Sequence, residues 1–212
     1  MLDIHLATFT ATSRKPTLAR LISAAGLPAA VAVKSPTGKP YLRAADGTSH
    51  GLAIAHLRKT NPSFSAMAVA TKTQIGIDIE LWPTATDQAF LASIAAPEDA
   101  PLIKRITALG QDPATFLWVA KEAALKASGE VMVDPRNISV KLLQNGHFYA
   151  ATSASATAPV AQTHIRIWRF KVKGSNAATL LALAVVLQAG ERAGAAQQWK
   201  IHCEDWNLAP VF

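Results

Sequence analysis

Residues 75–80 read IGIDIE and residues 118–126 read WVAKEAALK. Asp78 and Glu80 stand two apart among isoleucines. On a strand, residues two apart share a face, so both carboxylates look one way while Ile77 and Ile79 enter a core. Two carboxylates on one face repel unless a cation lies between them. Hard oxygen ligands of this kind suit Mg²⁺, which leaves room for water or substrate phosphates. In the second segment Glu122 and Lys126 are four apart and share a helical face, with Lys121 beside Glu122. A carboxylate flanked by two lysines can complete a metal site and hold phosphate oxygens next to it. Trp118, Ala123 and Leu125 supply packing surface. Each segment alone also reads as ordinary structure: an edge strand with a solvated acidic face, or a helix with a Glu–Lys pair on a wet surface.

These residues need a strand and a helix to position them, and the chain supplies both. QIGIDIELW reads as a strand stopped by Pro83. DPATFLWVAKEAALKASGE is the clearest helix, with Asp112 as N-cap, Pro113 in the first turn and Gly129 ending it. Upstream, PTLARLISAAG has helical spacing and ends at Gly26. AAVAVKSPTGKPYL reads as a strand and a Pro/Gly turn, and GLAIAH and FSAMAVAT as two short strands joined by the polar LRKTNPS. The stretch DQAFLASIAAPEDAPLIKRITALG reads as mostly helical. NISVKLL, HFYAAT, HIRIWRFKV and ATLLALAVV read as strands, with TSASATAPVAQT a small-residue loop. Both halves thus run from helix to strands. The fold class is α+β with two comparable α/β lobes, residues 1–73 and 74–212, the second carrying the acidic strand and the lysine-rich helix.

Bulk properties narrow the function. The chain has 212 residues, 50% apolar and 17% charged, as a folded globular protein requires. Lysine and arginine number 21 against 14 acids, a net +7 with a pI near 9.8, which favours an anionic partner. The basic residues are dispersed and lack the aromatic interleaving of a nucleic-acid binder, so no nucleic acid is expected. Cys203 is the one cysteine; an internal disulfide and a cysteine zinc site are excluded, and a cytoplasmic location fits. The opening MLDIHLATFTATSRKP lacks a basic start followed by an apolar run, so it is not read as a signal peptide. AATLLALAVVL falls short of the roughly 20 residues of a membrane helix, so no membrane is expected.

GIDIE followed by WVAKEAALK resembles the paired signature of the 4'-phosphopantetheinyl transferase superfamily: a G-[IV]-D-[IV]-E strand, then a W-x-x-K-E-A-x-x-K helix. Gly76, Asp78, Glu80, Trp118, Lys121, Glu122, Ala123 and Lys126 occupy its defining positions. TGKPYL matches a third element, Gly-Lys-Pro before a hydrophobic residue. The resemblance spans roughly residues 14–187, and the length matches the pseudo-dimeric, surfactin-synthetase-activating type, with monomer as the expectation. It implies transfer of the phosphopantetheine arm of coenzyme A to a serine of an apo acyl or peptidyl carrier protein, with Mg²⁺, releasing 3',5'-ADP. The implied metal ligands are Asp78, Glu80 and Glu122. Lys121 and Lys126 are implied phosphate contacts, with Glu122 a base for the serine as well; metal and base roles compete. Lys39, His56 and Arg20 are implied at the nucleotide end. The family's Ser-His pair has two placements: His56, with Ala55 where serine is expected and Arg58 and Lys59 following, or Phe64 in PSFSAM. His50 carries the Ser-His dipeptide but sits close to the Gly-Lys-Pro turn. His5, His147, His164 and His202 have no assigned partners. A homologue that only binds coenzyme A or a carrier is the rival reading, separated by metal-dependent transfer.

Overall fold

The structure is a computed structural model that describes residues 2–10, 12–57, 64–83, 85–130, 133–143, 146–153, 161–171, 178–187, 199–203 and 209–211. The first half runs β1 (Leu2–Phe9), α1 (Arg14–Ala24), β2 (Val31–Lys34), β3 (Pro40–Arg43), β4 (Ser49–Leu57) and β5 (Phe64–Ala70). The second runs β6 (Ile75–Leu81), α2 (Gln88–Ile94), α3 (Ala100–Ala108), α4 (Pro113–Ser128), β7 (Ile138–Leu142), β8 (Phe148–Thr152), β9 (Thr163–Lys171) and β10 (Ala178–Val186). β11 (Trp199–Cys203) and β12 (Ala209–Pro210) follow. Among the described residues this is a mixed α+β fold with two sheets and four α-helices.

The two sheets share one connectivity. In the first, β1 pairs with β5, and β4, β3 and β2 follow outward; in the second, β6 pairs with β10, and β9, β8 and β7 follow. Each first strand is thus joined by a helical segment to a four-strand meander whose last strand returns beside it. The departures lie in the chain beyond residue 187. β11 adds to the first sheet, parallel to β1, with Leu2 opposite Trp199. β12 pairs with β9 of the second sheet. The expected helix-first order fails in both halves, where β1 precedes α1 and β6 precedes α2. LDIHLATF alternates apolar and polar residues, the period of a half-buried strand.

The sheets pack face to face through alternate residues. Ile75, Ile77 and Ile79 of β6 are 0–1% exposed and meet Ala53, Ala55 and Leu57 of β4 and Leu181 and Leu183 of β10 in a shared core. Burying each isoleucine contributes roughly 1.5–3 kcal/mol. On the outer face of the first sheet, Leu21 and Ile22 of α1 cover Ala7, Phe9, Leu52 and Met67. On the outer face of the second, α4 covers Leu180, Ala182 and Ala184, with Leu91, Leu102 and Ile106 of α2 and α3 in the same core. Helix, sheet, sheet and helices therefore form four layers. No helix among the described residues is long and apolar enough to cross a membrane.

Candidate active site

The pleat that sends the isoleucines of β6 inward turns Gly76, Asp78 and Glu80 toward α4. Gly76 sets how close the helix lies. A Cβ there would stand 2.0 Å from Ala123 O and 2.3 Å from Ala127 N, so only glycine allows this approach. α4 itself is firmly bounded. The Asp112 carboxylate accepts from the Ala114 and Thr115 amides, Pro113 takes the first turn, and Gly129 ends the helix at φ 77°.

Close packing brings Lys126 onto Asp78. Lys126 Nζ donates to Asp78 Oδ1 at 2.5 Å and lies 3.5 Å from Glu122 Oε2. Asp78 is 6% exposed, and its Oδ2 is buried with no hydrogen-bond partner. Burial pushes the Asp78 carboxyl up to about 7. Lys126 opposes that rise, and the charges of Glu122 and Glu80 add to it. Burial works to lower Lys126, but the Asp78 and Glu122 carboxylates override it and raise the ammonium. The result is a charged lysine on an acid poised near neutrality. Hard oxygens, one of them buried and unpartnered, fit the chemistry of a magnesium ion. Among the described residues, however, no three acidic, histidine or cysteine side chains converge as a ready-made metal cage.

Lys39 reaches the same place from the β2–β3 turn. Its ammonium donates to Ala127 O in the last turn of α4 and to Gln74 Oε1 at 3.3 Å. Burial lowers it to about 8. Beside it, a cavity of about 260 Å³ is lined by Gly38, Lys39, Leu52, Ile54, Lys126 and Glu130. A second cleft of about 710 Å³ shares the Lys39 and Glu130 walls and extends toward His50 and Lys72. Its size is that of a small-molecule site.

Other expected residues lie elsewhere in the structure. Lys121 is 0% exposed; its Nζ donates to Asp99 Oδ2 at 2.6 Å, Ile94 O at 2.7 Å and Pro135 O at 3.1 Å. Asp99 also accepts from the Ala96 and Val140 amides. Adjacent helical residues do not share a face, so Lys121 points away from Glu122 and toward Asp99. Arg20, exposed on α1, lines a small pocket of about 40 Å³ with His5, Leu21 and His202, not the Lys39 cleft. His5 and His202 stack at 4.5 Å, and His202 bonds Asp3.

The Ser-His question has a structural reading. Ala55 carries no hydroxyl, but Ser65 stands opposite His56 on β5, with its Oγ 2.7 Å from His56 Nδ1. Phe64 lies beside Phe170 and packs on the core between the sheets. Arg58 and Lys59 lie outside the described residues. Trp118 is half-buried against Phe90. Sequence reasoning missed Gln74, Lys72 and Glu130 as cleft residues. The signal was their flanking of the two motifs.

No curated protein matches the chain. A family model does, over residues 74–184, from the residue before β6 into β10. That is just over half of the chain and takes in both charged motifs. With the β6–α4 geometry, the match identifies the chain as a member of the 4'-phosphopantetheinyl transferase superfamily, a transferase of that type.

Proposed function

We propose that the protein transfers the 4'-phosphopantetheine arm of coenzyme A to a serine of an apo acyl or peptidyl carrier protein, with Mg²⁺, releasing 3',5'-ADP. One observation carries this reading: Asp78, buried with an unpartnered oxygen, is held by Lys126 beside a cleft that Lys39 also lines. Asp78, Glu80 and Glu122 would hold the metal. When bound, it supplies Lewis-acid stabilisation of charge on the pyrophosphate.

The chain's own groups do the rest. Lys126 holds a pyrophosphate oxygen as a point charge, and Lys39 the nucleotide side. Glu122, where its carboxylate is not taken up by the metal, accepts the proton of the carrier serine, directly or through a water. The serine oxygen bonds to the phosphorus nearer the pantetheine. The bond from that phosphorus to the bridging oxygen breaks, and its electron pair leaves with 3',5'-ADP. His56, with Ser65 beside it, is the family-type contact for the nucleotide's 3'-phosphate. The common strand connectivity supports a pseudo-dimer of lobes 1–73 and 74–212, with β11 bridging back. A monomer in a reducing cytoplasm completes the reading. The net +7 suits an acidic carrier surface.

The test incubates the protein with Mg²⁺, coenzyme A and several apo carriers and reads intact carrier mass. A gain of one phosphopantetheine, lost on chelation, is expected. Tight coenzyme A binding without mass gain on any carrier would instead mark a binding-only homologue.

A further inference from the structure

β11 is lightly held for a strand that closes a sheet. It meets β1 in parallel, with Asp3 opposite Lys200 and His5 opposite His202, and parallel pairing is slightly weaker per residue than antiparallel. Of its residues only Trp199 is buried. That indole reaches the second half, its ring 5.8 Å from the His147 ring and 5.6 Å from the Arg166 guanidinium. β11 thus ties the two halves together, by the β1 ladder on one side and by Trp199 on the other.

The face of the ladder turned away from the shared core carries the charges. There the rings of His5 and His202 stack, with centroids 4.5 Å apart and planes 6° from parallel. His202 Nε2 lies 3.1 Å from Asp3 Oδ1. Asp3 of β1 and Lys200 of β11 both act on His5, and Arg20 of α1 lines the same pocket. One carboxylate offsets one imidazolium. A second proton sets two cationic rings face to face, beside Lys200 and Arg20. Burial and the His202 charge accordingly hold His5 below its ordinary 6.5. A strand that has left β1 carries neither penalty, so protons favour the parted state as pH falls through the folded value. His147, which faces Trp199 from the second half, is held down to about 4 by burial and the Arg166 charge and stays neutral meanwhile.

We propose that His5 and His202 form an acid-operated catch on β11. With at most one ring charged, residues 199–203 stay on β1. With both charged they part from it, and Trp199 leaves His147 and Arg166. The β1–β5 ladder, on the other edge of β1, keeps its pairing. The catch stands whether or not the chain transfers phosphopantetheine.

Amide hydrogen exchange on the full chain, corrected for the pH dependence of intrinsic exchange, tests it near pH 7.5 and near pH 5.5. The unaltered protein should lose protection at residues 199–203 on acidification and keep it in β4 and β5. His5→Phe and His202→Phe keep a stacked ring without a titratable nitrogen, so each should hold β11 equally at both pH values. Asp3→Asn should deepen the loss near pH 5.5 while leaving protection near pH 7.5, a split that lost packing alone would not give. Ring titration by NMR needs no variant: a His5 midpoint below 6.5 should track the loss at residues 199–203. Equal protection of β11 at both pH values, a loss that persists in both Phe variants, or a His5 midpoint at or above 6.5 overturns the catch.

Discussion

The two halves repeat one connectivity, yet their first strands meet their helices in opposite ways. In the first half, β1 turns His5, Ala7 and Phe9 toward Leu21 and Ile22 of α1, a mostly apolar seam. In the second, β6 turns Gly76, Asp78 and Glu80 toward Glu122 and Lys126 of α4. The same architecture thus holds one seam by packing and leaves the other charged and incompletely satisfied. Incomplete satisfaction is what sets the second apart. Lys121 shows this on the same helix, since its ammonium and the Asp99 carboxylate are fully enclosed by partners. A saturated buried pair holds structure; a pair with an orphan oxygen can take a ligand.

The sharpest way to break the contrast is Asp78→Ala. Transfer should fall by at least about 10³-fold, as for loss of a preorganised electrostatic group, while the melting temperature is kept. Full activity in defined Mg²⁺ would sink the assignment. Lys126→Met should behave alike, because Asp78, already raised to about 7, can take a proton once alone.

Lys121→Met should do the reverse. It strands the buried Asp99 carboxylate, a loss of about 3–5 kcal/mol, measured by urea unfolding. If instead the fold were unaffected and phosphate affinity fell, the structural role would be wrong.

Packing comes next. Gly76→Ala forces α4 off β6, destabilising by roughly 1–3 kcal/mol as overpacking does and lowering transfer with it. Leu21→Ala in the apolar seam should lose a similar or larger stability, about 2–5 kcal/mol, yet leave the activity of the folded fraction intact. Equal loss of specific activity in both would erase the distinction between the seams.

The smallest effect is in pH, with opposite signs. Asp78 is raised from 3.8 to about 7 by burial. The folded state therefore holds its proton longer than the unfolded chain, and this contribution to stability is complete below pH 3.8 and lost as pH rises through about 7. His5 is depressed from 6.5, by burial first and by the His202 charge. Its contribution is present above pH 6.5 and lost on acidification. In chelator, Asp78→Asn should flatten the fall in melting temperature between pH 4 and 7, and His5→Asn the drop below 6.5. Unaltered profiles would remove both groups from the account.

Much of this was legible because it is periodic. The alternation in IGIDIE and the four-residue spacing of Glu122 and Lys126 mark the charged seam in the sequence itself. Asp112, Pro113 and Gly129 bounded α4 as their types require. Lys121 misled because its neighbours in sequence are not its neighbours on the helix. The Asp99 that claims it comes from another segment, and such pairing leaves no local trace. β11 was illegible for the same reason, since WKIHC becomes a strand only by meeting β1. His50 sits close to the Gly-Lys-Pro turn in sequence, and strand pairing makes that closeness the reason it lines the cleft, with Leu42 opposite it.

The β1–β11 ladder has a consequence for synthesis. β1 pairs with β5, some sixty residues on, but its other edge is completed only by residues 199–203. Until then that edge offers unpaired amides and carbonyls to any passing strand. Long-range pairing of this kind forms slowly, so between the synthesis of β5 and that of β11 the sheet has five strands and a sticky margin, the stage at which a chaperone would matter most.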